Sequence, residues 1–209
     1  RSRSFRTTKI RNIVKSDAKE TFVRAGVATE SGQVHALAVG KSLKGTSELR
    51  VDGDSVKKSS DLARYLPVQV LLPGVIDLVL DGPNARREFL DWGLFHVEQG
   101  FLEASKRYRR VLSQRAAWMK INQQSSFADD PWVDQLVDGG VQIGKWRNAF
   151  LLEMNDYFQN MLRLLDPSLS CSLAYIDGGY ASSELEAKEK LSSSFARDLK
   201  FGVSHYGPH

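Results

Sequence analysis

The chain has 209 residues, 42% hydrophobic and 26% charged, which suits one large soluble domain or two small ones with a real core. Its net charge of +4 permits a nucleic-acid partner without requiring one. The single cysteine, Cys171, excludes an internal disulfide and a cysteine zinc site and fits a reducing cytoplasm, and apolar runs such as Val68–Leu72 are far too short to cross a membrane.

Residues 1 to 20 are basic and weakly patterned, and RSRSFRTTKIR lacks the apolar stretch of a secretory signal. Two runs with alternation and β-branched residues follow, Thr21–Ala28 and Gln33–Gly40, joined by the Gly-containing link Thr29–Gly32, as a hairpin needs. A third run, Thr46–Val51, ends at the turn signal Asp52-Gly53. Successive short strands predict a meander or antiparallel sheet rather than βαβ units. Ser59 or Ser60 can cap a short helix through Tyr65, after which Pro67 opens an apolar strand, Val68–Leu72, broken by Pro73-Gly74.

Pro83 stands at the first position of the next helix, where its missing N–H costs nothing, and Phe89, Leu90 and Trp92 supply an apolar side. From Phe101 to Ile121 apolar residues recur at a helical period, with Arg115 as the polar intruder. A polar loop leads to a second long helix, Trp132 to Leu165, in which Gly139, Gly140 and Gly144 predict a break or bend, each costing roughly 1 kcal/mol against alanine. Two long helices joined by a polar loop suggest an antiparallel helical hairpin. Asp166-Pro167 ends it, Ser170–Ile176 reads as a strand, Asp177–Gly179 as a turn, and Glu184–Lys200 as a last polar helix.

Several chemical motifs fail on their context. Gly40-Lys41-Ser42 suggests a phosphate loop, but the glycine needed five residues earlier is His35, and Leu43-Lys44-Gly45 leads to a strand rather than a helix; a hairpin turn fits better. Asp81 and Asp177 end apolar runs yet precede glycine and lack an acidic neighbour, so they read as turn residues. The four histidines are scattered, and no nucleophile-elbow sequence accompanies the serines. Lys106, Arg107, Arg109, Arg110, Arg115 and Lys120 make a basic run along the first long helix, either a solvated face or a surface tracking phosphates by counterion release. Arg1, Arg3 and Arg6 have the same two readings. No aromatic ladder interleaves with either group, so backbone contacts are the expected mode.

Gly82 to Glu98, GPNARREFLDWGLFHVE, resembles a hallmark of the RecF family, bacterial recombination mediators among the SMC-like ABC ATPases, whose members carry G-x-P-x-x-RR-x-FLDW-x-x-FH; the spacing at Gly82-Pro83 differs. Arg3-Ser4-Phe5-Arg6-Thr7, Val51-Asp52-Gly53, Leu66-Pro67-Val68-Gln69, Gln114-Arg115 (with Ala116 for the usual Asn) and Gly207-Pro208-His209 resemble further family elements in the same order. The resemblance implies an α+β fold, an antiparallel-sheet part of an ATPase head (lobe I) joined to a helical lobe II with a long antiparallel hairpin. The implied division is 1–73 for partial lobe I, 74–169 for lobe II and 170–209 for a strand and helix returning to lobe I.

The resemblance also implies a parent that binds ATP and Mg²⁺, forms an ATP-dependent homodimer, and binds single- and double-stranded DNA at gaps through backbone contacts. Such a parent works with a RecR-type mediator to load recombinase in repair, replication and the SOS response, and is a weak DNA-dependent ATPase of the cytoplasm. The family's phosphate loop would precede Arg1, and its signature and Mg²⁺-binding aspartate would follow His209. Both ends are therefore expected to be cut, and the fragment alone is expected to bind no cofactor or metal and to hold no catalytic residue. Gln69 stands at the position of a nucleotide-sensing glutamine, with a plain strand glutamine as the alternative. Arg86 and Arg87, about 100° apart on a helix, are candidate DNA contacts or structural ion-pair partners. Gly74 replaces a common acidic residue. The competing reading of the whole chain is a non-enzymatic basic DNA- or protein-binding module.

Overall fold

The structure, a computed structural model, describes residues 4, 6–70, 77–178 and 183–209. The chain forms two compact units, Arg1–Gly74 and Val75–His209. The first is a four-stranded antiparallel meander of β1 (Glu20–Ala28), β2 (Val34–Ser42), β3 (Ser47–Val51) and β4 (Asp54–Ser55), in sequence order across the sheet. The first turn closes where Thr29 N–H donates to the Gln33 carbonyl at 2.8 Å, with Gly32 at φ +82°. Gly40-Lys41-Ser42 is not the second turn. These residues belong to β2, Gly40 faces Phe22 across the β1–β2 pair, and the chain reverses after them, where Ser42 N–H donates to the Thr46 carbonyl at 3.1 Å. Leu43-Lys44-Gly45 therefore forms the turn itself, since glycine at 45 supplies the positive φ.

The third turn is Asp52-Gly53, with φ +52° and +92°, the paired left-handed geometry that matches strand twist. It brings in β4, which the sequence pattern does not reveal because the strand has two residues. Asp52 also works through its side chain. One carboxylate oxygen accepts the Ala36 N–H at 2.7 Å and the other meets His35 Nδ1 at 2.7 Å. These two contacts, His35 first, hold the Asp52 carboxyl below its ordinary 3.8.

α1 (Ser59–Tyr65) begins one residue earlier than a serine cap would set it. Its two serines lie inside the first turn, and Asp61 accepts the Lys58 N–H at 3.3 Å. Beyond it, residues 66–70 are irregular, with Val68 and Val70 exposed at 53% and 40%. The described part of the expected strand Val68–Leu72 is thus not a strand: no described strand lies beside it to accept its backbone bonds. Leu71, Leu72, Pro73 and Gly74 fall outside the described residues.

The second unit is helical: α2 (Asp77–Leu80), α3 (Pro83–Val97), α4 (Phe101–Ile121), α5 (Val133–Leu165) and α6 (Glu184–Phe201). α3 starts as its proline predicts, with Gly82 as N-cap. The core is Leu94, Tyr108, Val111, Leu136, Val137, Ile143 and Leu191, contributed by four helices. Phe101 stands edge-on to Trp146 at 6.0 Å, a Cβ added at Gly139 would lie 3.2 Å from Tyr108, and Arg115 meets Asp130. Positions rise along α4 as their partners fall.

α5 runs unbroken through its glycines, contrary to the expected break. Gly139, Gly140 and Gly144 are buried, and at Gly139 the close approach of Tyr108 outweighs the poor helix propensity. Gly93 does the same for α3, where the ring of Phe150 occupies the space a side chain would need.

Ser170–Ile176 is irregular rather than a strand. Its backbone bonds go to α5 side chains: Leu173 N–H donates to Asn155 Oδ1 at 3.1 Å, and Gln159 donates to the Cys171 carbonyl. Ser183 caps α6 by accepting the Glu186 N–H at 3.1 Å, and Gly202, at φ +66°, ends it. Among the described residues no helix is long and apolar enough to cross a membrane.

The depressed Asp52 carboxyl has a testable consequence. Its stabilising effect is complete above 3.8 and is lost as pH falls through the lower folded value. Asp52→Asn is expected to lower the denaturation midpoint at pH 7, and the gap to the unsubstituted chain should close between pH 4 and pH 2 in urea titrations followed by circular dichroism.

Candidate functional site

The helical unit carries its charges at two levels, one buried and one exposed. The buried level centres on Arg115, which lies on the inward stripe of α4 and is fully buried. Its Nε donates to Asp130 Oδ2 at 2.6 Å, and its Nη1 donates to Asp198 Oδ2 at 2.7 Å and to Ser204 Oγ at 2.6 Å. Asp198, fully buried on α6, also accepts from Ser194 Oγ at 3.2 Å and from His205 N–H at 3.0 Å, and meets His205 Nδ1 at 2.7 Å. One guanidinium thus joins α4, the loop before α5, α6 and the segment after α6. Burial opposes its charge, but the hydrogen bonds it donates to Asp130 and Asp198 more than offset this, so its pKa rises and it stays protonated. The sequence places Arg115 in a surface-compatible basic run; the structure removes it from that surface.

A second buried guanidinium, Arg147 of α5, grips Asp91 of the FLDW run with two bonds, Nε to Oδ1 at 2.8 Å and Nη2 to Oδ2 at 3.1 Å. Its Nη1 donates to the Pro208 carbonyl and to Tyr175 OH, the latter at 3.5 Å. Burial again works against the charge, and Asp91, then Tyr175, raises the pKa in compensation. Sequence reasoning missed Arg147. The available signal was its spacing, because 147 falls between Ile143 and Leu151 on the buried stripe of α5.

Gly207-Pro208-His209 is held between these two arginines. His209 Nε2 meets the Ser204 carbonyl at 2.9 Å, which can only accept, so this nitrogen carries the proton; Nδ1 then accepts from Tyr108 OH at 3.1 Å. The residue as a whole is exposed, yet protein surrounds enough of its ring to hold its pKa below the ordinary 6.5, helped by the charges of Arg87 and Arg115 and opposed by Ser204 and Asp198.

The candidate DNA contacts separate into distinct environments. Arg1 and Arg3 lie outside the described residues, and Arg6 is exposed in the first unit. Arg86 directs Nη1 at the carbonyls of Leu78, Val79 and Asp81, at 3.3, 3.2 and 2.8 Å, and so caps the end of α2. Arg87 is half-buried and bonds Asn84. Arg109 is 70% exposed and pairs with Asp91 at 3.5 Å. Lys106 pairs with Glu103 at 2.7 Å, and Arg107 and Arg110 are exposed beside it. The α4 group is gathered on one helix; Arg86 and Arg87 sit on α3, where they serve local structure.

Gln69 is exposed in the irregular stretch 66–70. Gly40-Lys41-Ser42 is extended and paired within the sheet, so its backbone cannot wrap a phosphate, and no cluster of His, Cys, Asp or Glu among the described residues could hold a metal ion.

No family model matches the chain. Curated relatives do. The chain is 35% identical over 208 residues to the DNA replication and repair protein RecF of Acinetobacter baumannii, covering 99% of this chain and 56% of that protein. It is 31% identical over 207 residues to RecF of Aliivibrio salmonicida, with 99% and 57% covered. The chain matches RecF proteins along 99% of its own length. It spans little more than half the length of the RecF proteins it matches. In fold it resembles the recombination mediator protein RecF-ATPrS in the RecFOR pathway, with TM-score 0.80, 23% identity and coverage of 99% of this chain and 58% of that one. RecF-ATP gives TM-score 0.78 at 22% identity, with the same coverage. The mixed architecture with an antiparallel sheet is therefore that of RecF.

Arg115→Met should leave Asp130 and Asp198 buried without their counter-charge and cost ~3–5 kcal/mol of stability. Arg110→Ala, at an exposed position, should stay within about 0.5 kcal/mol. Urea denaturation of the two variants beside the unsubstituted chain checks both values; equal stability of all three would refute the hub.

Proposed function

We propose that this chain is the middle of a RecF-type DNA repair ATPase. The observation that carries the reading is the match to RecF proteins along 99% of this chain, within which the Gly82–Glu98 run supplies Asp91 to the buried Arg147 clasp. In this reading residues 1–73 are part of lobe I, 74–169 form lobe II with α4 and α5 as its antiparallel hairpin, and 170–209 lead back to lobe I. The parent binds ATP with Mg²⁺, dimerises with nucleotide, binds DNA at gaps and cooperates with a RecR-type mediator in the cytoplasm. Its roles extend to replication and the SOS response. Gln69 senses nucleotide in the parent. The solved structures of RecF-ATP and RecF-ATPrS in the RecFOR pathway support the nucleotide and pathway parts of this proposal.

DNA contact falls chiefly to the exposed Arg107 and Arg110 of α4, with smaller parts for the ion-paired Lys106 and Arg109, and to Arg1, Arg3 and Arg6. Arg86 and Arg87 contribute less, because each already has local hydrogen-bond partners. Cations on one helix face track phosphates without reading bases, and each phosphate neutralised releases condensed counterions.

The chain is expected to bind a fluorescent duplex at low salt, with an affinity that falls linearly in log–log form as salt rises. Arg107→Ala should weaken binding evenly across sequences and reduce the salt slope by about one. Fluorescence anisotropy from 20 to 200 mM NaCl measures both. Absence of binding at the lowest salt would sink the DNA-contact reading of this segment.

A further inference from the structure

The sequence offers no aromatic residue interleaved with the basic run of α4, but the fold brings one in from α5. Trp146 is half-buried, its ring edge-on to Phe101 at 6.0 Å, and it borders a surface groove whose other wall is α4. Gly100 flanks the indole: a Cβ there would stand 3.4 Å from Trp146 Cη2 and 3.6 Å from Cζ2, so any larger residue would cover this part of the ring. The opposite wall carries Glu103, Lys106, Arg107 and Arg110, spaced so that all four share one face of α4. Lys106 and Glu103 neutralise each other at 2.7 Å. Among the described residues no ion pair engages Arg107 or Arg110. The groove therefore presents an aromatic surface beside two uncompensated guanidinium groups.

That pairing matches a nucleotide taken out of its stack. An indole accepts the π-face of any base, while guanidinium groups hold the adjoining phosphates by forked hydrogen bonds. Intact duplex cannot use it, because its bases are stacked on one another and show only their edges and backbone. We propose that Trp146, with Arg107 and Arg110, forms a stacking site for one unpaired base of single-stranded DNA, and so distinguishes a gapped or overhanging strand from blunt duplex. The proposal rests on the DNA-contact reading given above and adds to it a residue that selects the form of the DNA.

The two readings separate in one experiment. The chain and its variants are titrated with a blunt duplex, with the same duplex carrying a single-stranded dT gap, and with oligo(dT), at one low salt concentration. The unsubstituted chain should prefer the gapped DNA. Trp146→Ala should lose roughly tenfold or more in affinity for gapped DNA and oligo(dT) and change less than twofold on blunt duplex. Trp146→Phe keeps an aromatic face and the core contact; it should retain most of the affinity but lose most of the tryptophan fluorescence quenching by oligo(dT).

Arg107→Ala and Arg110→Ala should weaken all three ligands. If these arginine variants bind every ligand like the unsubstituted chain, the DNA-contact reading fails and the stacking site fails with it. If they weaken binding but Trp146→Ala lowers gapped and blunt affinity equally, or Trp146→Phe quenches normally, the stacking site alone is overturned. Circular dichroism of each variant identifies any loss explained by unfolding, and the Trp146→Phe quenching result then decides.

Discussion

A guanidinium with no access to water governs the helical unit. Arg115 can remain charged there only because Asp130 and Asp198 are held against it, and each of those carboxylates is tolerable only because Arg115 is present. Such a hub contributes little net stability compared with apolar packing, since desolvation consumes most of the Coulombic gain. Its effect is conditional. Each of the segments bearing Arg115, Asp130, Asp198 and Ser204 must be in place for the others to be satisfied, which fixes their register more sharply than the surrounding leucines could.

The Arg147 clasp extends the same logic toward α3. Asp91 is shared between a buried partner, Arg147, and an exposed one, Arg109, so the FLDW run is tied both to the interior and to the basic surface of α4. Gly207-Pro208-His209 closes between the two clasps through the Pro208 carbonyl and the His209 ring. Cations adjacent in sequence therefore have unrelated tasks. Arg109 and Arg110 face solvent from α4, and Arg115, on the same helix, is interior.

Much of the architecture was legible in the residues. The strand pattern through Val51, the proline entry of α3, the limits of α4 and the existence of the last polar helix, α6, follow from local rules: side-chain periodicity, turn chemistry and the place of proline at a helix start. The failures share a cause. Val68–Val70 and Ser170–Ile176 have the β-branched, apolar look of strands, but a strand exists only with a hydrogen-bonded neighbour, and here the latter segment bonds to α5 side chains instead. The α5 glycines look like helix breakers in isolation, yet they are buried within one continuous helix, and Gly139 is a contact point for Tyr108 of α4. β4 is too short to leave a pattern.

The sequence by itself carried the likeness to RecF, through ordered motifs that survive without coordinates, and left the basic run of α4 as either a solvated face or a phosphate-tracking surface. It also determined which residues are cations and which are aromatic. Only the tertiary structure decided which cations are available to a ligand. Burial and ion pairing depend on neighbours distant in the chain: Asp198 lies far along the chain from Arg115, and Trp146 reaches the basic face of α4 from another helix. Composition and spacing record none of these distances, because they arise only when the helices pack.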